Sequence, residues 1–143
     1  DVTGHARLAA HSELPIAVGE ALRNRYEFDT WLTAGAVGLA QPDVGRTGIT
    51  EALAIAELCA ARHVPVAPHH STGLGIALAA GVQLSAVLPE LPYFEYQPTT
   101  VRVAATMLRT RLRVTAAEIA VPDGIGLGVE VDEEFVHTHA KEW

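Results

Sequence analysis

The chain has 143 residues, 49% of them hydrophobic, with a mean hydropathy of +0.20 and a formal net charge of −7. This length suits one domain, and 10 Lys and Arg against 17 Asp and Glu leave no basic stripe for reading a phosphate backbone, so no nucleic-acid partner is expected. No apolar run approaches the roughly 20 residues that span a bilayer, so the apolar excess belongs to a packed interior and no membrane partner is expected. A lone cysteine, Cys59, excludes an intrachain disulfide framework. The start, Asp1 to His5, has neither the basic nor the apolar region of a secretory signal, and the cytoplasm is the expected compartment.

Taken in chain order, the apolar runs Pro15–Gly19, Val37–Gln41, Val64–Ala67 and Tyr93–Tyr96 are short and lack polar alternation, as strands buried on both faces do. Between the first two, Phe28–Ala34 is predicted to be helical, with Asp29 or Thr30 as its cap. Glu51–Ala61 follows Thr50, a residue type suited to an N-cap, and is dense in Ala, Leu, Ile and Glu. Cys59 falls in this helix as a small buried residue rather than a nucleophile. Leu74–Val87 is almost wholly apolar and predicts a deeply packed helix. After Gln97 the character changes. Arg109, Arg111 and Arg113 alternate as one exposed face of a strand or irregular segment does, and Val121–Gly128 is rich in turn residues.

Strand, helix, strand with short connections specifies a parallel sheet. An open sheet and a closed barrel both fit, and the strand ends separate them. Each run finishes in a polar or ionisable residue: Glu20, Asp43, His69 with His70, and Glu95. In a TIM-type barrel such residues converge on one mouth. An open sheet would more often carry a Gly-rich phosphate turn after its first strand, whereas Gly73-Leu74-Gly75 follows the third run and lacks a third glycine. The expected fold is therefore α/β, one half of a (β/α) barrel over residues 1–97. Residues 98–143 are expected to form a C-terminal segment packing back on the barrel or on a capping domain.

The strand ends carry chemistry with alternatives. Glu20 is a hard oxygen donor suited to Mg²⁺, or an exposed rim residue, and one carboxylate does not make a metal site. Asp43 and His69, if their strands are neighbours, form a dyad in which the carboxylate fixes the imidazole tautomer and the free nitrogen works as a base near neutral pH. Asp43 could instead cap a turn before Gly45, and His70 could be the functional imidazole or a polar neighbour facing away. Glu95, between aromatics, could carry a proton and donate to an oxyanion, or stay an ordinary hydrogen-bonded carboxylate. His5, His11, His63, His137 and His139 show no ligand spacing.

The ordered set Pro15–Glu20, Leu39–Thr50, Val64–Ser71 and Phe94–Tyr96, with the tail Val121–Asp132, resembles the mandelate racemase branch of the enolase superfamily over nearly the whole chain. The resemblance makes the four runs strands 5–8 of the barrel. It implies that Glu20 is the third carboxylate ligand of Mg²⁺, that Asp43 and His69 are the catalytic dyad, and that Glu95 hydrogen-bonds the substrate carboxylate. Asp43 stands where a lysine would mark the muconate-lactonizing branch. The family's Gly-Gly-Ile-Thr appears as Thr47-Gly48-Ile49-Thr50. Its first two metal carboxylates, an acid/base lysine and its capping domain belong to earlier segments, and this chain begins about where the helix after the fourth strand would lie.

The function implied is Mg²⁺-dependent abstraction of the proton α to a carboxylate through an enediolate, in a sugar-acid or hydroxy-acid dehydratase or racemase. The expected partners are a small carboxylic acid and either a second copy or the missing N-terminal half. Two rivals stand beside this. One is a non-catalytic half-barrel serving assembly. The other is lactonizing or epimerase chemistry of neighbouring branches, disfavoured by the missing lysine.

Overall fold

The computed structural model describes residues 1–70 and 73–140. In chain order the elements are α1 (Val2–His11), β1 (Ala17–Val18), α2 (Arg25–Thr33), β2 (Leu39–Ala40), α3 (Val44–Ala60), α4 (Gly75–Ser85), α5 (Pro98–Ala104) and α6 (Glu133–His139). β1 and β2 pair in parallel, with Ala17 opposite Leu39 and Val18 opposite Ala40. The next run joins through the parallel bridge Ala40–Val66, and a second bridge, Asp43–His69, lies further along the same pair. Three strand segments thus lie side by side in chain order and run the same way, with helices between them. This is the half-barrel pattern, and α1 occupies the place expected for the helix preceding its first strand.

The core explains why these segments order. Phe28 and Leu32 of α2, Ile55, Ala56 and Cys59 of α3, and Val37, Ala40 and Val66 of the sheet form one buried cluster. Phe28 and Ile55 are fully buried, and each contributes about 1.5–3 kcal/mol of transfer free energy. Burial pushes the Cys59 thiol up to about 11, against a smaller opposing effect of Arg62, so it is packing and not a nucleophile. On the other side of α3, Val44 and Ala52 meet Ala80 and Leu84 of α4. No helix among the described residues is long and apolar enough to cross a membrane.

Two helix starts differ from the sequence expectation. α2 begins earlier than Phe28 because Asn24 caps it, accepting from the backbone N–H groups of Tyr26 and Glu27. Asp29 pairs with Arg62 instead, and Thr30 donates to the Tyr26 carbonyl. α3 begins at Val44 rather than after Thr50. Asp43 caps its first turn, and Gly48, at φ 72° and ψ 165°, kinks the helix before it resumes. That left-handed value suits glycine, which pays no Cβ penalty there. Glu51, just past the kink, takes Arg25 in a two-pronged contact, Nε to Oε1 at 3.0 Å and Nη2 to Oε2 at 2.7 Å. These bonds hold its carboxyl down at about 2 and tie the start of α2 to α3.

Tyr93–Tyr96 is not a fourth strand, since it enters no ladder among the described residues. Pro92 lacks an N–H at its entrance, and the His70 amide that would face it donates to the Glu95 side chain instead. Beyond it, α5 packs Val101 against Leu78 and Val82 of α4, with Phe94, Leu112 and Ile119 around them. Gln83 of α4 donates to the carbonyls of Pro122 and Leu127 at 2.7 and 3.3 Å, which holds the turn-rich segment against this helix. Arg109, Arg111 and Arg113 are exposed on one side of an irregular stretch.

Candidate active site

Four side chains singled out in the sequence meet around one imidazole. His69 Nδ1 lies 2.9 Å from Asp43 Oδ2, its Nε2 lies 3.0 Å from Glu20 Oε2, and the same Nε2 is 4.0 Å from Glu95 Oε2. The parallel sheet makes this possible. Because Asp43 and His69 are bridged partners on adjacent segments, their side chains leave the sheet at the same level. Glu20 reaches the group from the end of β1 through Gly19, whose φ of 140° is open to glycine. A Cβ there would lie 2.7 Å from Phe28 Cζ, so this turn also depends on glycine for space.

Asp43 does two jobs that the sequence left as alternatives. Its Oδ1 accepts from the Gly45 backbone N–H at 2.7 Å, capping α3, and its Oδ2 engages the imidazole. An ionised carboxylate only accepts, so His69 donates from Nδ1 and keeps its other nitrogen towards the mouth. The contact with Glu20 becomes an ion pair when that nitrogen is protonated. His69 is largely buried and Glu20 largely exposed, which sets a sheltered imidazole beside an open rim carboxylate.

The two roles of Asp43 separate by mutation. Asp43→Asn should leave folding stability nearly unchanged, because asparagine caps as well as aspartate, while Asp43→Ala should cost about 1 kcal/mol. Denaturant unfolding measures this. Nitrogen-15 chemical shifts of His69 should show both variants losing the tautomer held by the carboxylate.

Glu95 Oε2 accepts the His70 backbone N–H at 3.0 Å, the contact of a hydrogen-bonded carboxyl. The His70 ring makes none of these contacts: it is only 4% exposed and stacks on Phe94 with ring centroids 6.3 Å apart. Burial pushes its imidazole below the usual histidine range, against opposing effects of Asp43 and Glu95, which favours the neutral form. The three carboxylates gather on His69 and not on His70. A cavity of about 300 Å³ opens beside the dyad, with Asp43, Arg46, His69, His70 and Gly73 in its wall. Arg46 is a wall residue that strand-end reasoning did not single out, since it sits one turn into α3. His5, His11 and His139 each engage a backbone carbonyl one turn earlier in their helices through Nδ1.

Comparison with known proteins gives this arrangement its context. Residues 1–135 match the family model described as enolase C-terminal domain-like. A D-galactonate dehydratase from Ralstonia pickettii (strain 12J) is 37% identical over 96% of this chain and 38% of its own length. Among solved structures, the 3,6-anhydro-D-galactonate cycloisomerase from Zobellia galactanivorans superposes with a TM-score of 0.90 at 31% identity, over 99% of this chain and 40% of that one. A mandelate racemase/muconate lactonizing enzyme from Sulfitobacter sp. does so with a TM-score of 0.85 at 30% identity, over 97% of this chain and 35% of that one. The chain therefore spans little more than a third of the curated relatives it matches. With a family match across most of its length and parallel strand ends arranged as a half-barrel, the chain belongs to the enolase superfamily, in the C-terminal domain-like family of mandelate racemase and muconate lactonizing enzymes.

Proposed function

We propose that the polypeptide carrying this chain is a Mg²⁺-dependent, cytoplasmic sugar-acid dehydratase. It would remove the proton α to a carboxylate and then expel the β-hydroxyl. One observation carries this reading: His69 is held by Asp43 at one nitrogen and presents the other to the strand end bearing Glu20. The dehydratase relative supports the substrate class.

Glu20 suits Mg²⁺ as one exposed, hard oxygen donor. Among the described residues no group of three His, Cys, Asp or Glu could hold a metal ion, so the other donors would come from polypeptide outside this chain. When bound, Mg²⁺ would supply Lewis-acid polarisation of the substrate carboxylate. His69 Nε2 takes the α-proton, while Asp43 keeps the ring oriented and steadies the imidazolium that results. Glu95, in its protonated form, would donate a hydrogen bond to the substrate carboxylate, where charge gathers as the C–H bond breaks. As the electron pair returns to form the new double bond, the β-hydroxyl leaves and takes the proton from His69. Water departs, and the enol left behind becomes a 2-keto-3-deoxy acid.

A second reading is cycloisomerisation of a related sugar acid, which the Zobellia neighbour's name supports. It shares the first proton transfer and differs in the leaving group. In either case residues 1–97 form the half-barrel and 98–143 a returning segment. A second copy, or the rest of the barrel, would complete the fold. The test is incubation of the complete polypeptide and Mg²⁺ with D-galactonate and a panel of other sugar acids. Formation of a 2-keto-3-deoxy acid is expected. A cyclised or ring-opened isomer would favour the second reading, and no turnover of any sugar acid or lactone would count against both.

A further inference from the structure

His70 stands beside the dyad, yet its ring takes no part in the contacts around His69. Three observations bear on it. Its backbone N–H donates to Glu95 Oε2 at 3.0 Å, so the peptide that follows the base also grips the acid. Its ring is 4% exposed and packs against Phe94, the residue preceding Glu95. Gly73 lies close to it as well, where an added Cβ would lie 3.5 Å from ring atoms Cε1 and Nδ1. The ring is therefore wedged between the end of the His69 segment and the Phe94–Glu95 segment. Tyr93–Tyr96 has no ladder of its own among the described residues, so beside the packing of Phe94 against Leu78, Val82 and Val101, this contact and one hydrogen bond hold Glu95 at 4.0 Å from His69 Nε2.

We propose that His70 is a positioning residue for Glu95: its buried ring locks the segment against Phe94, and its amide holds Oε2 so that the other carboxyl oxygen faces the substrate. The proposal deepens the dehydratase reading and rests on it for Glu95's role. The geometry itself is independent of that reading. Phe94 is the intermediary, since stacking a ring on it restrains the neighbouring residue through one peptide unit. The ring nitrogens are not what matters. His70 Nε2 has no hydrogen-bond partner among the described residues, and burial favours the neutral imidazole, so an aromatic hydrocarbon of similar size can take its place.

The test uses the complete polypeptide with His70→Ala, His70→Phe, Glu95→Gln and the Ala–Gln double variant. His70→Ala should lower kcat roughly ten- to hundredfold with little change in KM, as a misplaced group near the reacting atoms does. His70→Phe should recover most of that loss, and His70→Ala should cost nothing further on a Glu95→Gln background. Wild-type kcat in His70→Ala, or an equal further loss on the Glu95→Gln background, would overturn the proposal while leaving the dehydratase reading intact. If the polypeptide turns over no sugar acid, the dehydratase reading fails and hydrogen exchange of the residue 70 amide decides instead. Protection in wild type and His70→Phe, lost in His70→Ala, supports the wedge. Equal protection in His70→Ala overturns it.

Discussion

Replacing His69 by asparagine in the complete polypeptide is expected to abolish measurable dehydration, with a loss of about 10²–10⁴-fold or more in kcat. The reason lies in the geometry around one ring. Asparagine keeps a polar group of similar reach to Asp43, but it has no nitrogen able to hold and return a proton near neutral pH. KM should change far less, because substrate binding would rest on the metal, Glu95 and the rest of the site. Stability should fall only modestly, since the Asp43 cap on α3 does not involve the imidazole. Steady-state kinetics beside thermal unfolding separates these effects. A His69→Asn enzyme with wild-type kcat would remove His69 from the chemistry and turn attention to His70.

Much of this site was legible in the sequence because parallel strands place information at fixed points. Buried strands read as short apolar runs, and the first ionisable residue after a run marks the mouth, so Glu20, Asp43 and His69 could be named as candidates from spacing, and Glu95 from its place among the aromatics of Tyr93–Tyr96. The sequence could not show that Asp43 both caps a helix and holds the imidazole, because these depend on two oxygens of one carboxylate pointing in different directions. Helix starts were misplaced for a related reason. Asn24 lies outside the apolar-periodic stretch it caps, and Gly48 interrupts α3 with a backbone angle that leaves no mark on composition. The last apolar run misled, since Tyr93–Tyr96 has strand composition without a backbone partner. Composition reports burial, but a strand also needs a ladder to join. Spacing left the roles of individual residues as alternatives, and the family resemblance chose among them.

The isolated 143-residue chain is expected to be inactive and to self-associate rather than behave as a stable monomer. A closed barrel has no free edges, whereas β1 here pairs on one side only among the described residues. Tyr93 and Tyr96 are 52% and 40% exposed. Behind them a cavity of about 750 Å³ is walled by Val82, Leu91, Phe94, Val114 and Ile119, away from the dyad. Open edges and apolar surface of this kind favour association. Sedimentation over a concentration series should show mass rising with concentration, and adding the remaining part of the barrel should suppress that rise and restore turnover. A concentration-independent monomer with a sharp thermal transition would show that the half-barrel is self-sufficient, and a non-catalytic assembly module would then be the better reading.

The most direct measurement of His69's role is isotopic. A sugar acid deuterated at the α-carbon, turned over by the complete polypeptide with Mg²⁺, should react more slowly than its protiated form. In deuterated water the protiated substrate should exchange its α-proton, and His69→Asn should do neither at a detectable rate. Loss of dehydration in His69→Asn with α-proton exchange still at the wild-type rate would contradict the assignment of His69 as the base.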